Sequence, residues 1–408
     1  MFKKIAATVL LFASSFLVSV SASAEKVGHQ VHNMEKMWTD MRTKPVGMAV
    51  SVAADEKGVL WLAQMREGFI WVSHSNDRGA HFSNAVKVNV EKESILAEGQ
   101  NRPQIIVRNG VIAVAWSQAL PKTFASNIRF ARSTDGGKTF SAPITINDVD
   151  ETVGHSFPTM TMNAQGKITL AWIDGRDKSK VRQAGRSYEG SAIYYASSND
   201  GGASFSGNKK LADHTCECCR LGITTEKDGT PVVFWRHLFD GGVRDFAFAR
   251  LNAYTSIVRA SQDNWQINAC PHHGGDIAVG AQSKLHLVWF TGNPEKAGLF
   301  YRRLDGEHMT IPHAFGNVDA QASYPTVFAQ DKNVYVAWRE FDGQQYQLMV
   351  VSSNDQGQQW SSARAVAQAQ GNADLPMFIV NAQEPLLVWN DAAQGVRIFD
   401  LQAVPVKK

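Results

Sequence analysis

The sequence predicts an all-β fold, a seven-bladed β-propeller, from two repeated patterns and from a scarcity of helical periodicity. A short apolar strand that contains a tryptophan recurs seven times, and consecutive tryptophans stand 49 to 63 residues apart. Repeats of about this length are typical of propeller blades, each of which buries its faces only by stacking on its neighbours. The seven repeated tryptophans are Trp61, Trp116, Trp172, Trp235, Trp289, Trp338 and Trp389.

Each repeat contains further short strands around the tryptophan strand. A strand that often begins with proline precedes it, as in FPTM at Phe157 and YPTV at Tyr324, and a strand such as IRFARS follows it. Four such strands separated by Gly, Asn and Asp turns form one blade. The last repeat ends near Val404, before its outer strand, so we expect the segment His29 to Trp38 to supply that strand and close the ring. A six-bladed ring with one additional hairpin is the alternative.

The N-terminus has the features of a secretory signal. Two lysines precede an apolar run over residues 5–20, and small residues at positions 22–24 permit cleavage. The run is short for a membrane span and no basic flank follows it, so we expect a signal peptide over residues 1–24 and one propeller domain over residues 25–408. The predicted location is the periplasm or the outside of the cell, with no membrane span after cleavage.

The charge of the chain argues against nucleic acid as a partner. Lysine and arginine number 41 against 38 aspartates and glutamates, which gives a formal net charge of +3. Cleavage of the signal removes two lysines and no acid, so the mature chain is close to neutral. Proteins that bind nucleic acid or anionic membranes carry a clear basic excess. We therefore expect neither partner.

Four turns share the motif Ser-x-Asp-x-Gly-x-x-aromatic. In such a turn the Ser and Asp oxygens bind turn amides, the glycine takes a backbone angle that other residues resist, and the aromatic ring packs beneath. We therefore expect the aspartates to be structural. A degenerate copy lies at residues 261–265. The four motifs are Ser75-Asp77-Gly79-Phe82, Ser133-Asp135-Gly137-Phe140, Ser198-Asp200-Gly202-Phe205 and Ser353-Asp355-Gly357-Trp360.

With these turns the sequence resembles the Asp-box (BNR) repeat proteins of the sialidase-like superfamily, over essentially the whole mature chain. The resemblance implies that the boxes lie between the third and fourth strands of a blade, on the face away from the active site. For a sialidase it implies three arginines that grip a carboxylate, a tyrosine nucleophile paired with a glutamate, and an acidic catalyst. Arg176, Arg236, Arg339 and Tyr324 are scattered parts of that set, but the family's early Phe/Tyr-Arg-Ile-Pro motif is missing.

All four cysteines lie in two short segments, which we name the first and second cysteine loops. The first, residues 214–220, reads HTCECCR, and the second, residues 270–276, reads CPHHGGD. Both precede the first strand of a blade, in the fourth and fifth repeats, so a ring places them side by side at the mouth of the central channel. Thiolates and imidazoles bind soft and intermediate metal ions. The candidate ligands are Cys216, Cys218, Cys219, Cys270, His272, His273, His214 and His237.

Three interpretations of the cysteine loops stay open at this point. The first is a metal site that holds copper, since Cu(I) tolerates few sulfur ligands, with zinc in a closed tetrahedron as the alternative. The second is disulfides, which an oxidising compartment and an even number of cysteines favour. The third is a redox or catalytic thiol. Disulfides leave the histidines and the Gly-Gly pair beside Cys270 unexplained, and adjacent Cys218 and Cys219 pair poorly with each other.

The predicted function is therefore metal binding, with copper as the ion, by a periplasmic propeller that handles copper or uses it in a reaction. The wider sequence resembles a set of bacterial exported Asp-box proteins with both cysteine motifs, and this resemblance implies no particular reaction. A sialidase-like exo-glycosidase and a non-catalytic binding propeller held by disulfides are the alternatives. If the protein is an enzyme, a copper-dependent oxidoreductase and a glycoside hydrolase are the two classes. The expected partners are a metal ion and a small molecule or glycan at the channel mouth.

Overall fold

The protein is built almost entirely of β-strands. The computed structural model describes residues 34–44, 47–379 and 385–401, and these ranges contain 29 strands. Two α-helices accompany them, α1 over residues 34–43 and α2 over Arg176–Gln183, with single 3-10 turns at Asp240–Gly242 and Ala281–Ser283. The predicted all-β class is confirmed. Within the described ranges no helix has the length and apolarity that a membrane crossing requires. The predicted signal peptide lies outside them.

The strands follow one another as seven antiparallel units, which we number 1 to 7 along the chain. Units 3 and 4 share one sheet because Thr215 pairs with His237. Unit 1 contains β1 (Val50–Ala54), β2 (Leu60–Arg66), β3 (Phe69–Ser75) and β4 (Val86–Lys87). Unit 2 contains β5 (Ile95–Leu96), β6 (Gln104–Arg108), β7 (Val111–Ala119), β8 (Ser126–Ser133) and β9 (Ile144–Thr145). Unit 3 contains β10 (His155–Met162), β11 (Ile168–Asp174), β12 (Ser191–Ser198) and β13 (Lys209–Thr215).

The remaining units continue the same order of strands. Unit 4 contains β14 (Gly222–Thr225), β15 (Pro231–Phe239), β16 (Val243–Arg250) and β17 (Val258–Arg259). Unit 5 contains β18 (Asp276–Val279), β19 (Leu285–Thr291), β20 (Gly298–Asp305), β21 (His308–Met309) and β22 (His313–Phe315). Unit 6 contains β23 (Ser323–Gln330), β24 (Asn333–Phe341), β25 (Tyr346–Ser353) and β26 (Arg364–Ala369). Unit 7 contains β27 (Met377–Ile379), β28 (Leu386–Asp391) and β29 (Gly395–Asp400).

The proline near the start of an inner strand interrupts its pairing. The register shifts between Ser156 and Thr159 in β10, and between Ser323 and Thr326 in β23. Proline donates no backbone hydrogen bond, so it is tolerated where the ladder is already broken by such an irregularity. Tyr324 has a φ of 58° there, in the left-handed region. The interruption therefore reorients the side chains at the start of the inner strand.

The core lies between neighbouring units. All seven repeated tryptophans are buried on the second long strand of their units. Trp61 and Trp116, for example, share one apolar cluster between units 1 and 2. Each indole N–H has an acceptor, such as Glu93 Oε2 for Trp116 at 2.8 Å. A buried indole with a paired N–H contributes a large apolar surface without an unsatisfied donor.

The Asp-box turns have the predicted geometry. In all four, the serine Oγ donates to the aspartate Oδ1 at 2.7–2.8 Å and accepts from the glycine N–H at 2.7–2.9 Å. The glycines have φ values of 78–91°, which explains why no other residue type serves there. Beneath the turns, Phe205 packs on Phe130 and Trp360 on Tyr301. At the degenerate copy, Asp263 instead accepts a hydrogen bond from the indole of Trp289.

The segment predicted to close the ring differs from the prediction. Residues 34–43 form α1 rather than a strand, because Trp38 and Met41 lie one turn apart and share an apolar helix face. Trp38 packs on Leu96 and Ala119 of unit 2, and its indole donates to a backbone carbonyl of the same unit at 3.0 Å. His29, at the other end of the predicted strand, lies outside the described residues. Closure by a strand over residues 34–38 is therefore wrong.

Candidate metal centre

The two cysteine loops lie at one end of the strands, and the Asp boxes lie at the other end. We call these two ends the cysteine-loop edge and the Asp-box edge. Each cysteine loop directly precedes an inner strand, β14 or β18, whereas each Asp box follows the third long strand of its unit. The first and third strands of an antiparallel sheet run in the same direction, so the start of one and the end of the other are at opposite edges. The cysteine loops therefore occupy the face that the Asp boxes do not.

The first cysteine loop gathers three thiols in a tight turn. The backbone N–H of Cys216 donates to the Arg236 carbonyl at 2.9 Å, which fixes the start of the loop on β15. The Sγ atoms of Cys216 and Cys218 are 3.6 Å apart, and those of Cys216 and Cys219 are 3.5 Å apart. The exposed fractions of the three side chains are 1%, 6% and 2%. We name these three residues the inner triad.

The second cysteine loop can approach the first because of its two glycines. A Cβ at Gly274 would lie 2.5 Å from Arg220 Cγ and 2.6 Å from Gln100 Oε1, and a Cβ at Gly275 would lie 2.5 Å from Phe234. A contact below 3.0 Å is not compatible with a side chain, so only glycine fits at either position. Gly274, in the pair that disulfides leave unexplained, thus allows the two loops to meet, and Gly275 allows the second loop to pack on Phe234.

A second group of ligand atoms joins the two loops. The ligand atoms of Cys218, Cys270 and His272 all lie within 4.8 Å of one another. Cys270 and His272 are both exposed, whereas Cys218 is buried. His272 has a φ of 51°, a left-handed conformation that is unusual for a residue other than glycine and that clusters at functional sites. We name these three residues the outer triad.

Two arginines face the sulfur atoms. Arg244 Nη1 lies 3.2 Å from Cys216 Sγ, and the guanidinium of buried Arg236 adds a favourable charge at the same thiol. Hydrogen bonds from Cys218 and Cys219 lower the pKa of Cys216 well below its ordinary value, while burial raises the pKa of Cys219 to about 12. A hydrogen bond with Cys218 lowers the pKa of Cys270 to about 7. Thiolate character is therefore concentrated on Cys216 and Cys270, and thiolates are the form that binds metal.

Three of the eight predicted ligands lie outside both triads. His214 is exposed, stacks on Tyr188 and directs Nδ1 to a backbone carbonyl at 2.9 Å. His237 accepts a hydrogen bond from the indole of Trp235 at 3.2 Å, and burial lowers its pKa to about 4. His273 turns away from the thiols and stacks on Tyr324, with centroids 4.7 Å apart. The structure thus brings together five of the candidates, which are Cys216, Cys218, Cys219, Cys270 and His272.

Two residues that position the loops carry no recognisable signal in the sequence. Gln100, in unit 2, accepts hydrogen bonds at its Oε1 from the backbone N–H groups of Arg220 at 3.3 Å and Gly274 at 2.5 Å. One carboxamide thereby connects both cysteine loops. Arg244, at the start of β16, reaches Cys216 from the neighbouring strand. Asp276, at the end of the second cysteine loop, accepts a hydrogen bond from Thr326 Oγ1 of unit 6 at 2.6 Å.

The arginines that a sialidase would need are occupied within the protein. Arg176 is bound by Asp174 and Asp148. Arg236 donates to the backbone carbonyls of Arg244, His273 and Phe290 at 2.7–2.9 Å. Arg339 donates to a backbone carbonyl of unit 7 and lies over the rings of two tyrosines. Arg176 and Arg236 are buried and Arg339 is half-buried, and among the described residues the Nε atoms of Arg236 and Arg339 have no hydrogen-bond partner.

Comparison with known proteins identifies the fold. Neither a family model nor a curated protein matches the chain. Among solved structures, a PL25 ulvan lyase bound to -[GlcA(1-4)Rha3S]- is 12% identical with a TM-score of 0.55, over 87% of this chain and 94% of the lyase. The polysaccharide lyase Uly1 is 11% identical with a TM-score of 0.51, over 88% and 90%. The Hadza microbial sialidase Hz136 is 13% identical with a TM-score of 0.48, over 85% and 77%. The chain thus shares an all-β propeller fold with these polysaccharide lyases.

Proposed function

We propose that the protein is a periplasmic propeller that binds copper as Cu(I) through its two cysteine loops and acts in copper handling. The observation that carries the proposal is the meeting of four thiols and one imidazole, from segments about fifty residues apart, in two groups of three ligand atoms. Thiolate and imidazole are the ligand types that Cu(I) prefers. The proposed location rests on the predicted signal peptide.

The ring that brings the loops together has seven blades in this proposal rather than six. The inner strands of successive units contact one another from β1 through β6, β10, β14, β18, β23 and β27, and β27 contacts β1. Units 7 and 1 are also connected by a hydrogen bond from Asn390 to the Met48 carbonyl at 2.7 Å and by the ion pair of Arg78 with Asp400 at 2.8 Å. These contacts support closure of the ring without a shared outer strand.

The grouping of the ligands favours copper over zinc. A structural zinc site needs four ligands around one ion. In the described part of the chain, the ligand atoms form two groups of three that share Cys218, and no group of four has all its atoms within 4.8 Å of one another. Cu(I) is satisfied by three ligands, so each triad suits it.

The distances between sulfur atoms favour thiols over disulfides. A disulfide bond is about 2.05 Å long. The Sγ pairs of the inner triad are 3.5 and 3.6 Å apart, and all four cysteines are free. One thiol, Cys218, belongs to both triads, so a disulfide at Cys218 would remove a ligand from each of them. These distances therefore support a metal site over a disulfide.

Metal analysis with thiol counting on the full chain, purified from periplasm, tests the proposal. We expect copper together with four free thiols after its removal, and loss of the copper in the double variant Cys218→Ser/Cys219→Ser. His214→Ala, which changes an exposed ligand type in the same loop outside both triads, is the matched control and should retain copper. A metal-free protein without free thiols would overturn the proposal in favour of a propeller held by disulfides.

The second candidate function is the cleavage of an acidic glycan at the same face. The comparisons with solved structures favour this candidate over copper handling, because the similar folds belong to polysaccharide lyases and a sialidase. The specific observation in this chain is the stack of Tyr324 on His273, with the Arg339 guanidinium 4.9 Å from the tyrosine ring. Burial lowers the pKa of His273 to about 4, so its ring is neutral at pH 7. Tyrosine and neutral histidine are both side chains that act as a general acid or base when a substrate atom lies within hydrogen-bond reach.

A substrate panel separates this candidate from copper handling. The copper-free protein is incubated with a uronic-acid polysaccharide and with a fluorogenic sialoside, and product formation is followed. The candidate predicts turnover of one of them and a loss of about a hundredfold or more in Tyr324→Phe. Loss of sialoside turnover in Arg339→Ala would identify a sialidase. Absence of turnover on both substrates would exclude the candidate.

A further inference from the structure

The two triads share one residue, and that sharing has a consequence for the number of ions. Cys218 belongs both to the inner triad, with Cys216 and Cys219, and to the outer triad, with Cys270 and His272. Building on the proposed function, we propose that the loops hold two Cu(I) ions bridged by the Cys218 thiolate. The inner triad stores one ion, and the outer triad is the position through which copper is exchanged with solvent.

The inner triad fits one three-coordinate ion with little movement. If three sulfurs surround an ion at bonds of about 2.3 Å, they stand about 4 Å from one another. The Sγ separations of 3.6 Å and 3.5 Å in the inner triad are slightly shorter than that. An expansion of a few tenths of an ångström creates the site, and the turn that carries Cys218 needs no rearrangement. The ligand atoms of the outer triad also lie within 4.8 Å of one another, and they close on a second ion.

Burial distinguishes the roles of the two positions. Every inner sulfur belongs to a side chain that is at most 6% exposed, so an ion there is shielded from water and from competing ligands. Two of the three outer ligands, Cys270 and His272, are exposed. An ion can therefore reach the inner triad from solvent by first binding the outer ligands and passing across Cys218. Both positions use the same thiolate, so this transfer breaks and forms only metal–ligand bonds and requires no oxidant or reductant.

The charges around the loops fit two monovalent ions. Four thiolates with two Cu(I) ions retain two negative charges, and Arg244 Nη1 contacts Cys216 Sγ of the inner triad at 3.2 Å. A buried cluster is most stable when its charge is compensated.

The stoichiometry of Cu(I) tests the inference. The reduced full chain is titrated with Cu(I) under anaerobic conditions against a chromophoric Cu(I) chelator, and the loaded protein is weighed by native mass spectrometry. We expect two ions per wild-type chain, one in Cys270→Ala and in His272→Ala, and none at comparable affinity in Cys218→Ala. His214→Ala is the control and should bind two. Because Cys270 and His272 are exposed, their replacement leaves the core intact, which a circular dichroism spectrum verifies.

The rate of copper release provides a second measurement. If the outer triad is the exchange position, Cys270→Ala should release its remaining ion to excess chelator at least tenfold more slowly than the wild type releases its first. A wild-type chain that binds one ion, with Cys270→Ala indistinguishable from it, would overturn the bridged pair and leave the proposed Cu(I) site standing. A wild-type chain that binds no Cu(I) would overturn both.

Discussion

The Asp-box turns and the cysteine loops occupy opposite ends of the strands, in different units of the protein, and are built on different principles. An Asp-box turn is stabilised within about eight residues, by hydrogen bonds such as those from Ser133 to Asp135 and from Gly137 to Ser133. The cysteine loops depend on residues far away in the sequence. Gln100 binds a backbone amide 174 positions further along the chain, and Arg220 donates to a backbone carbonyl 105 positions away.

The difference explains why one motif repeats and the other does not. A turn that satisfies its own polar groups can recur in any unit without adjustment, and the four copies have hydrogen bonds that agree within 0.2 Å. A site made of two loops needs a particular pair of neighbouring units and supporting residues from others. The Asp-box edge is therefore stabilised by local hydrogen bonds, and the cysteine-loop edge, which we propose to be functional, is stabilised by contacts between residues far apart in the sequence.

The largest expected loss of stability comes from replacing Arg236, which holds the second cysteine loop through its hydrogen bonds. Arg236→Met removes the donors to three backbone carbonyls, one of them in the second cysteine loop, and should lower the free energy of unfolding by about 4 kcal/mol. The matched change at the other edge is Arg132→Met, since Arg132 donates to two carbonyls of an Asp-box turn at 2.9–3.0 Å but is only half-buried. Its expected cost is about 1 kcal/mol. Equal costs in urea denaturation would contradict the comparison.

Acid should destabilise the protein at buried His286, which lies beneath the fourth Asp box. His286 binds the Tyr301 hydroxyl at 2.7 Å under that turn, and burial lowers its pKa to about 4. The unfolded chain takes up this proton near pH 6.5, so the stability is complete above that pH and is lost as the pH falls towards 4, by at most about 3 kcal/mol. His286→Gln should reduce the loss of stability between pH 6.5 and 4, measured by urea denaturation.

The control for this pH effect is His308→Gln, at an exposed position of the same unit as His286. Because His308 is exposed, its replacement should leave the slope of stability against pH unchanged. If His286→Gln and the wild type lost the same stability on acidification, His286 would have no part in the acid sensitivity.

A smaller effect is expected from the residue that connects the two loops. Gln100→Ala removes the acceptor shared by Arg220 N–H and Gly274 N–H, and we expect about a tenfold loss of Cu(I) affinity, which corresponds to about 1.4 kcal/mol. Gln100→Glu retains an acceptor oxygen and should retain most of the affinity. Gln104→Ala, on the nearby strand β6, is the control. Chelator competition measures all three, and an unchanged affinity in Gln100→Ala would show that the loops meet without it.

The smallest effect should be confined to the Asp-box edge. Ser133→Ala leaves the buried N–H of Gly137 without its acceptor and should destabilise the protein by about 1 kcal/mol. Cu(I) affinity should not change, because the turn shares no contact with the cysteine loops. A change in Cu(I) affinity as large as that of Gln100→Ala would show that the two edges are coupled.

The sequence was sufficient where the determining interactions are close along the chain. The tryptophan strands, the Asp-box hydrogen bonds and the positive φ of their glycines follow from residue type and spacing, and the structure agrees with each of them. Prediction failed at the N-terminus, where a pattern expected to close the ring as a strand forms α1 instead, because the contact of Trp38 with unit 2 decides its conformation. A short segment without a repeat partner does not determine its own secondary structure.

For the site, the amino-acid sequence by itself determined which chemistry is present: four thiols and neighbouring histidines, in two segments one repeat apart. Only the tertiary structure decided which of them meet. His272 joins Cys218 and Cys270 while adjacent His273 stacks on Tyr324, and Gln100 and Arg244 enter from distant segments. The physical reason is that ligand identity is a property of single residues, whereas a shared pocket depends on backbone angles and on packing between blades.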